Sequence, residues 1–467
     1  MSDKHIIMND GSDDASSIEL NKKKINIVEM RKLFITGGLC GLVNIGNTCY
    51  MNATLQCLAA TEEFVEYFRG SGDGVEEYKN DLKQGIARVL HEENKKRKRK
   101  SDDDNKDSKD SKDSKDITHI IREKFRESLT YKLRNLLVVI WGINCKIIPK
   151  NFKKELGRLR DIFAGCDQND SQECLSFILD QIHEETKTDV MIELKNIPSG
   201  VLEYDSVKQY YTKLIMTENI TNEEKIKIKE DYNEYKSNHN REDAISKFLK
   251  FWQKYLKKNH SVIIDLFTGL YFTEIQCSKC NLINVGFEPY NIISLCIPEK
   301  NDSLENCLKN NFNIAEKLTE DNMYNCDKCY EKCMAIKKTT IWHSPAKLII
   351  SLKRFINNSS KIYKNNNIID FPLENLDLSD IISSYADTSN IYDLYGVINH
   401  SGSLRGGHYI AYTRNLINNE WYLFDDQHVL HIPYDKVVST LVTSNAYVLF
   451  YKKRGIASII SYSDDEL

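Results

Sequence analysis

Two Cys-x-x-Cys pairs, Cys277-Ser-Lys-Cys280 and Cys326-Asp-Lys-Cys329, place the strongest demand on how this chain can fold. A tight knuckle presents its two thiolates at tetrahedral angles, and a set of four soft thiolates selects zinc. For one ion to hold both pairs, the long segment between them must close on itself. It then sets two strands, Leu270–Ile275 and Lys337–Trp342, beside the metal. Such an extended hairpin buries little core alone and depends on the ion for stability. A redox reading of the pairs would require a βαβ context that the flanking residues lack. Cys333, four residues after Cys329, is expected to be a bystander. The chain has 13 cysteines, an odd number, and no apolar leader near its first residue. A secreted disulfide framework is therefore not expected.

A different cysteine sits where a helix should begin. The stretch Gly41-Leu-Val-Asn-Ile-Gly-Asn-Thr-Cys49-Tyr-Met-Asn-Ala-Thr-Leu-Gln56 has Met51, Leu55, Leu58 and Ala59 at helical spacing after the thiol. Asn47 and Thr48 are residue types that cap a helix start. A thiol in the first turn faces unpaired N–H groups and the positive end of the helix dipole, and both favour thiolate. The segment alone also fits a small buried hydrophobe, the usual fate of a free cysteine.

A base is available far downstream. Residues 393–399 and 408–413 are rich in Tyr, Val and Ile and flank a Gly/Ser loop, the pattern of an antiparallel hairpin. His408 follows Gly406 and Gly407, and residues 420–424 read as the next strand, ending at Asp425. An acid there can hold one imidazole nitrogen while the other takes a thiol proton.

These two segments resemble the cysteine and histidine boxes of the ubiquitin-specific proteases, a family of deubiquitinating cysteine peptidases with a papain-like core. The resemblance runs over roughly residues 39–452. It implies Cys49 as nucleophile, His408 as base, Asp425 as the acid that orients it, and Asn44 as the oxyanion donor. Asp426 matches a second acidic position with a supporting role.

A third box, Phe163-Ala-Gly-Cys-Asp-Gln168-Asn-Asp170-Ser-Gln172-Glu173-Cys174, opens an amphipathic helix through Phe177, Ile178, Leu179 and Ile182. Asp170 with Glu173 three later is a capping-box pattern. The segment resembles the family box that grips the arginine-bearing tail of ubiquitin, which implies tail contacts from Gln168, Asp170 and Glu173. Phe355 and Tyr409 match residues lining the tail channel. As bare sequence, both also fit plain strand core. The zinc pairs match a subset of the family as well.

The resemblance implies an α+β fold: a papain-like cysteine peptidase with a helical thumb, a β palm and zinc-stapled β fingers, a block arrangement that the order of predicted elements also suggests. The implied activity is hydrolysis of (iso)peptide bonds after the C-terminal glycine of ubiquitin, through a Cys-His-Asp triad and an acyl-enzyme. Ubiquitin and ubiquitinated proteins are then the partners of a monomer. Two rivals stay open: a peptidase for another ubiquitin-like modifier, and a non-catalytic ubiquitin-binding scaffold.

At 467 residues and 41% hydrophobic, the chain can bury one large or two ordinary cores. Net charge −4 gives no general reason to bind nucleic acid. No apolar run reaches membrane-spanning length, so a cytoplasmic or nuclear location is expected. Outside the catalytic pattern, residues 1–38 read as a flexible tail and 453–467 as a C-terminal tail. Residues 91–116 carry almost no apolar group and read as a disordered insertion. Residues 196–258 form a second insertion whose stripe Ala244, Ile245, Phe248, Leu249, Trp252, Tyr255 and Leu256 is helical and should pack on the thumb.

Overall fold

The helix that begins at Cys49 runs to Ala59 and is buried along its whole length. It has apolar residues on more than one side because it is covered on more than one side. Helices Glu62–Arg69, Leu129–Ile140, Lys150–Leu159 and Ser171–Thr186 surround it on the thumb. Tyr395, Ile398, Tyr409, Ala411, Val448 and Phe450 of a β-sheet close the other side, all within one core. The structure is a computed structural model and describes residues 7–9, 37–69, 73–101, 113–142, 144–194, 196–217, 220–312, 314–358, 361–386, 390–403 and 406–455.

The sheet is the palm. Its strands lie in the order His428–Ile432, Trp421–Asp425, Gly406–Arg414, Ile391–Ser403, Ala446–Lys453, Lys347–Lys353 and Ile293–Cys296. The first six pair antiparallel and the last pairs parallel, while Leu376–Asp377 adds a short pairing to Ile391–Ser403. Alternation along the strands splits the apolar residues between two cores. Ile349, Ile398, Val448 and Phe450 face the thumb. Leu348, Ile350, Val397, Leu449 and Tyr451 face a second core with Leu304 and Leu308. The expected hairpin and third strand are both present, so His408 and Asp425 lie on neighbouring strands.

The fingers are a separate sheet, Ile283–Tyr290, Gly269–Cys277, Ala335–His343 and Glu316–Leu318, tipped by a hairpin of Tyr324–Cys326 and Glu331–Cys333. The second insertion forms three helices, Ser199–Met216, Asn222–Ser237 and Asn240–Asn259. It packs mainly on the fingers rather than on the thumb, contrary to expectation. The reason is an aromatic face on that sheet. Trp252, Leu256 and Ala244 join Leu270, Phe272 and Trp342 in one cluster, and the Phe248 ring lies 5.2 Å from Trp342 and 5.8 Å from Phe287.

Two further expectations are revised. Backbone helix runs Asp73–Ser101 and resumes at Asp113–Glu127, so residues 91–101 and 113–116 are not the disordered insertion expected there. Glu, Lys and Arg sustain a helix without contributing core, so a lack of apolar residues does not preclude one. Residues 102–112 lie outside the described residues. Ile7–Asn9, within the expected N-terminal tail, pair parallel with Lys146–Ile148, which also pairs with Gly41–Leu42. The remainder of that tail up to residue 36 lies outside the described residues, as does 456–467 of the C-terminal one. Among the described residues, no helix is long and apolar enough to cross a membrane.

One buried cation ties the thumb to the nucleophile helix. The Lys153 ammonium donates to the carbonyls of Phe163 and Gly165 and to the Tyr50 hydroxyl beside Cys49. Lys153→Met fills the same space but strands those carbonyls, so a loss of about 1–3 kcal/mol is expected. Chemical denaturation of the two proteins measures it, and equal stability would show that the ammonium holds nothing.

Candidate active site

The loop before Cys49 is built from backbone that only particular residues accept. Gly46 has φ +108 and Asn47 φ 53, both left-handed, which turns the chain sharply into the helix. Asn44 Oδ1 accepts from the amides of Thr48 and Gly46 at 3.0 and 3.2 Å, and Thr48 Oγ1 accepts from Ile45 N at 3.0 Å. Thr48 thus occupies the N-cap position without making a side-chain cap bond, because its hydroxyl is used to hold the loop. Asn47 bonds the Cys166 carbonyl at 2.8 Å instead of capping.

Cys49 is 4% exposed. Burial raises its thiol pKa, and the nearby Asp426 carboxylate pushes the same way. The backbone amides of Tyr409, Tyr50 and Cys49 itself lie close to the sulfur and work against both. The helix-start amides are therefore where the sequence predicts, but burial outweighs them. A base is needed to remove the thiol proton.

The base is adjacent. Tyr409, whose amide meets the sulfur, is the residue after His408. His408 Nε2 pairs with Asp425 Oδ1 at 2.7 Å, which leaves Nδ1 as the nitrogen available to the thiol. Both side chains are almost half exposed, at 44% and 47%. Among the described residues, no hydrogen bond yet joins the Cys49 thiol to the ring. Such bonds often tighten only around substrate.

Asp426 proves more central than its supporting label suggests. It sits in left-handed backbone at φ 48, just past the strand end. One carboxylate oxygen accepts from Asn44 Nδ2 at 2.9 Å and the other from Asn52 Nδ2 at 2.8 Å. Its carbonyl accepts from Leu42 N at 2.9 Å, and Asn52 also reaches Leu42 O at 3.1 Å. Asn44 has one amide hydrogen committed to Asp426 and, among the described residues, no acceptor for the second. Asn52 was not anticipated. Its position one turn after Cys49 was the available signal.

The third box departs from a full capping box. Asp170 caps its helix, with Oδ1 accepting from Gln172 N at 2.7 Å and Glu173 N at 3.0 Å. Its other oxygen accepts from Tyr447 Oη at 2.5 Å and Tyr409 Oη at 3.5 Å. Glu173 does not fold back on the cap because it pairs with Arg160 at 2.6 Å. Gln168 Oε1 accepts from Gly407 N at 2.7 Å, which ties this box to the backbone beside His408. A cleft of about 520 Å³ opens here, lined in part by Arg160, Asp170, Glu173, Phe355 and Tyr447. Of the expected tail-binding residues, Asp170, Glu173 and Phe355 line it, whereas Gln168 and Tyr409 lie toward the base. Arg160 and Tyr447 were not foreseen.

At the finger tip the four expected cysteines converge. The sulfurs of Cys277, Cys280, Cys326 and Cys329 all lie within 4.8 Å of one another. Cys277 and Cys329 are 3.9 Å apart, and Cys280 and Cys326 3.5 Å. Tetrahedral zinc at about 2.3 Å from each sulfur requires about 3.8 Å between them, so the residues fit the ion. Cys333 is buried in the same cluster but stands outside that set of four.

Comparison with known proteins agrees with this layout. The family model for ubiquitin carboxyl-terminal hydrolase matches residues 40–451. A probable ubiquitin carboxyl-terminal hydrolase of Acanthamoeba polyphaga mimivirus is 30% identical over 444 residues, covering 89% of this chain and 90% of that one. Human ubiquitin carboxyl-terminal hydrolase 2 is 28% identical over 420 residues, covering 89% of this chain, which spans only 55% of the human protein. Among solved structures, the Ubp8 SAGA DUB module bound to ubiquitin aldehyde shares the fold, with a TM-score of 0.55 at 20% identity over 90% of this chain and 70% of that one. The chain belongs to the ubiquitin carboxyl-terminal hydrolase family, the cysteine-type deubiquitinating enzymes.

Proposed function

We propose that Cys49, His408 and Asp425 form the catalytic triad that hydrolyses the bond after the C-terminal glycine of ubiquitin. The single observation that carries this is the Cys49 sulfur resting against the amide that follows His408, whose far nitrogen is pinned by Asp425. His408 Nδ1 takes the thiol proton as sulfur attacks the carbonyl, then returns it to the departing amine. Water enters with His408 again as base and cleaves the thioester. The free Asn44 amide hydrogen and the Cys49 N–H donate to the oxyanion in both halves. Asp426 is the residue that holds Asn44 in position for this.

The cleft beside Glu173 and Phe355 suits an extended, cationic tail, and ubiquitin with its conjugates is the partner. The Arg160–Glu173 pair must open to admit such a cation. The fingers carry a structural Zn2+ on Cys277, Cys280, Cys326 and Cys329. The protein acts as a monomer in the cytoplasm or nucleus, without nucleic acid or membrane.

Turnover of ubiquitin carrying a C-terminal fluorophore, beside other ubiquitin-like modifiers labelled in the same way, tests the substrate. Strong preference for ubiquitin supports the reading, and preference for another modifier overturns it. Asn44→Ala should lower kcat by about 10²–10³-fold, or about 3–4 kcal/mol, with little change in KM. A change confined to KM would remove Asn44 from the oxyanion site.

A further inference from the structure

Away from the catalytic sulfur, two other cysteines meet in a way that the reaction does not use. Cys40 immediately precedes the strand Gly41–Leu42, and Cys145 immediately precedes Lys146–Ile148. Those strands pair parallel, Gly41 with Lys146 and Leu42 with Ile147, so the two cysteines stand one step before a matched register. Their sulfurs are 3.8 Å apart across 105 residues of chain. Cys40 is fully buried, its thiol donating to Ile140 O at 3.3 Å and its sulfur accepting from Cys145 N at 3.4 Å. Cys145 is only partly buried and can be reached from solvent.

We propose that Cys40 and Cys145 are a site of reversible oxidation, forming a disulfide that locks the strand before the catalytic loop to its neighbour. Backbones in adjacent strands lie about 4.8 Å apart, inside the range of about 4.4–6.8 Å that a disulfide spans between Cα atoms. Closing the sulfurs therefore needs side-chain rotation and no change of register. The close contact with Cys40 holds the Cys145 thiol pKa below its ordinary value, which favours the nucleophilic form on the more accessible partner. With hydrogen peroxide as oxidant, the Cys145 thiolate attacks one peroxide oxygen, giving the sulfenic acid and hydroxide. Cys40 sulfur then attacks that sulfenic sulfur; its proton and the departing hydroxyl leave as water.

The consequence lies in what the locked strand carries. Cys40 O accepts from Gln56 Nε2 at 2.7 Å, and Leu42 bonds both Asp426 and Asn52. A Cβ on Gly41 would come within 2.4 Å of the Gln427 backbone, so this strand is already wedged against the turn after Asp425. A crosslink here holds the base of the Asn44 loop without touching Cys49. It also constrains a long loop in the unfolded chain, which stabilises the native state.

The test treats the zinc-loaded full chain with hydrogen peroxide, alkylates remaining thiols and maps the peptides. The expected result is a Cys40–Cys145 crosslinked peptide that dithiothreitol reverses, with a Tm above that of Cys145→Ser treated identically. Cys145→Ser nearly keeps size at a partly buried position, so its fold is expected to survive. Full alkylation of both cysteines after treatment would overturn the proposal. So would conversion of Cys145 to sulfinic acid without a crosslink, or a crosslink that forms only once the protein is unfolded.

Discussion

Cys49→Ala is expected to lower turnover by about 10⁵–10⁶-fold while ubiquitin affinity stays within about twofold. Both halves follow from the site. The sulfur is the strongest nucleophile at the helix start, and Asn44 and the Cys49 N–H remain in the variant. Affinity is spared because alanine fits within the space of the buried thiol and leaves the bonds that hold the Asn44 loop in place. The small loss of buried volume should cost about 1 kcal/mol, too little to unfold the thumb. Turnover of a fluorogenic ubiquitin and calorimetric titration with free ubiquitin measure the two effects. If binding were lost along with turnover, the helix would have been a structural prop rather than a nucleophile carrier.

The second large effect belongs to the metal. Cys277→Ser should reduce bound zinc from about one ion per chain to near none, with a fall in Tm of at least about 5 °C. Burial opposes the Cys277 thiolate, but the nearby backbone amides of Cys280 and Lys279 and the neighbouring cysteine thiols outweigh it and lower the pKa to about 6. Serine at that position offers neither a thiolate nor the right bond length. The finger-tip hairpin Tyr324–Cys333 has three-residue strands, and its buried residues in the local cluster are the cysteines themselves. Without the ion it has little to hold it. Metal content measured on the purified variant decides: an unchanged zinc level would mean that another set of ligands carries the ion.

Much of this was legible in the residues because it rests on local rules. Period-2 alternation around a Gly/Ser loop located the hairpin of His408, and the acid at the end of the next strand is where it must be to reach the ring. The helices at Cys49 and after Asp170 begin where their sequences say. What stayed hidden depends on partners distant in the chain. Nothing near Asp426 announces that its two oxygens hold Asn44 and Asn52, more than 370 residues upstream. The Glu173 carboxylate looked free to cap its helix, but Arg160 takes it. The stripe from Ala244 to Leu256 is plainly helical, yet its packing partner is decided by Phe272, Phe287 and Trp342 on the fingers. The thiol pKa failed as a forecast for a related reason. A helix start can be recognised from sequence, whereas the burial that opposes it comes from the sheet above.

The most direct measurement is reaction with ubiquitin bearing a C-terminal electrophile, followed by peptide mapping of the adduct. The account predicts one adduct, on Cys49, absent in Cys49→Ser and much slower in His408→Ala. An adduct on any other cysteine, or labelling that is indifferent to His408, would contradict it.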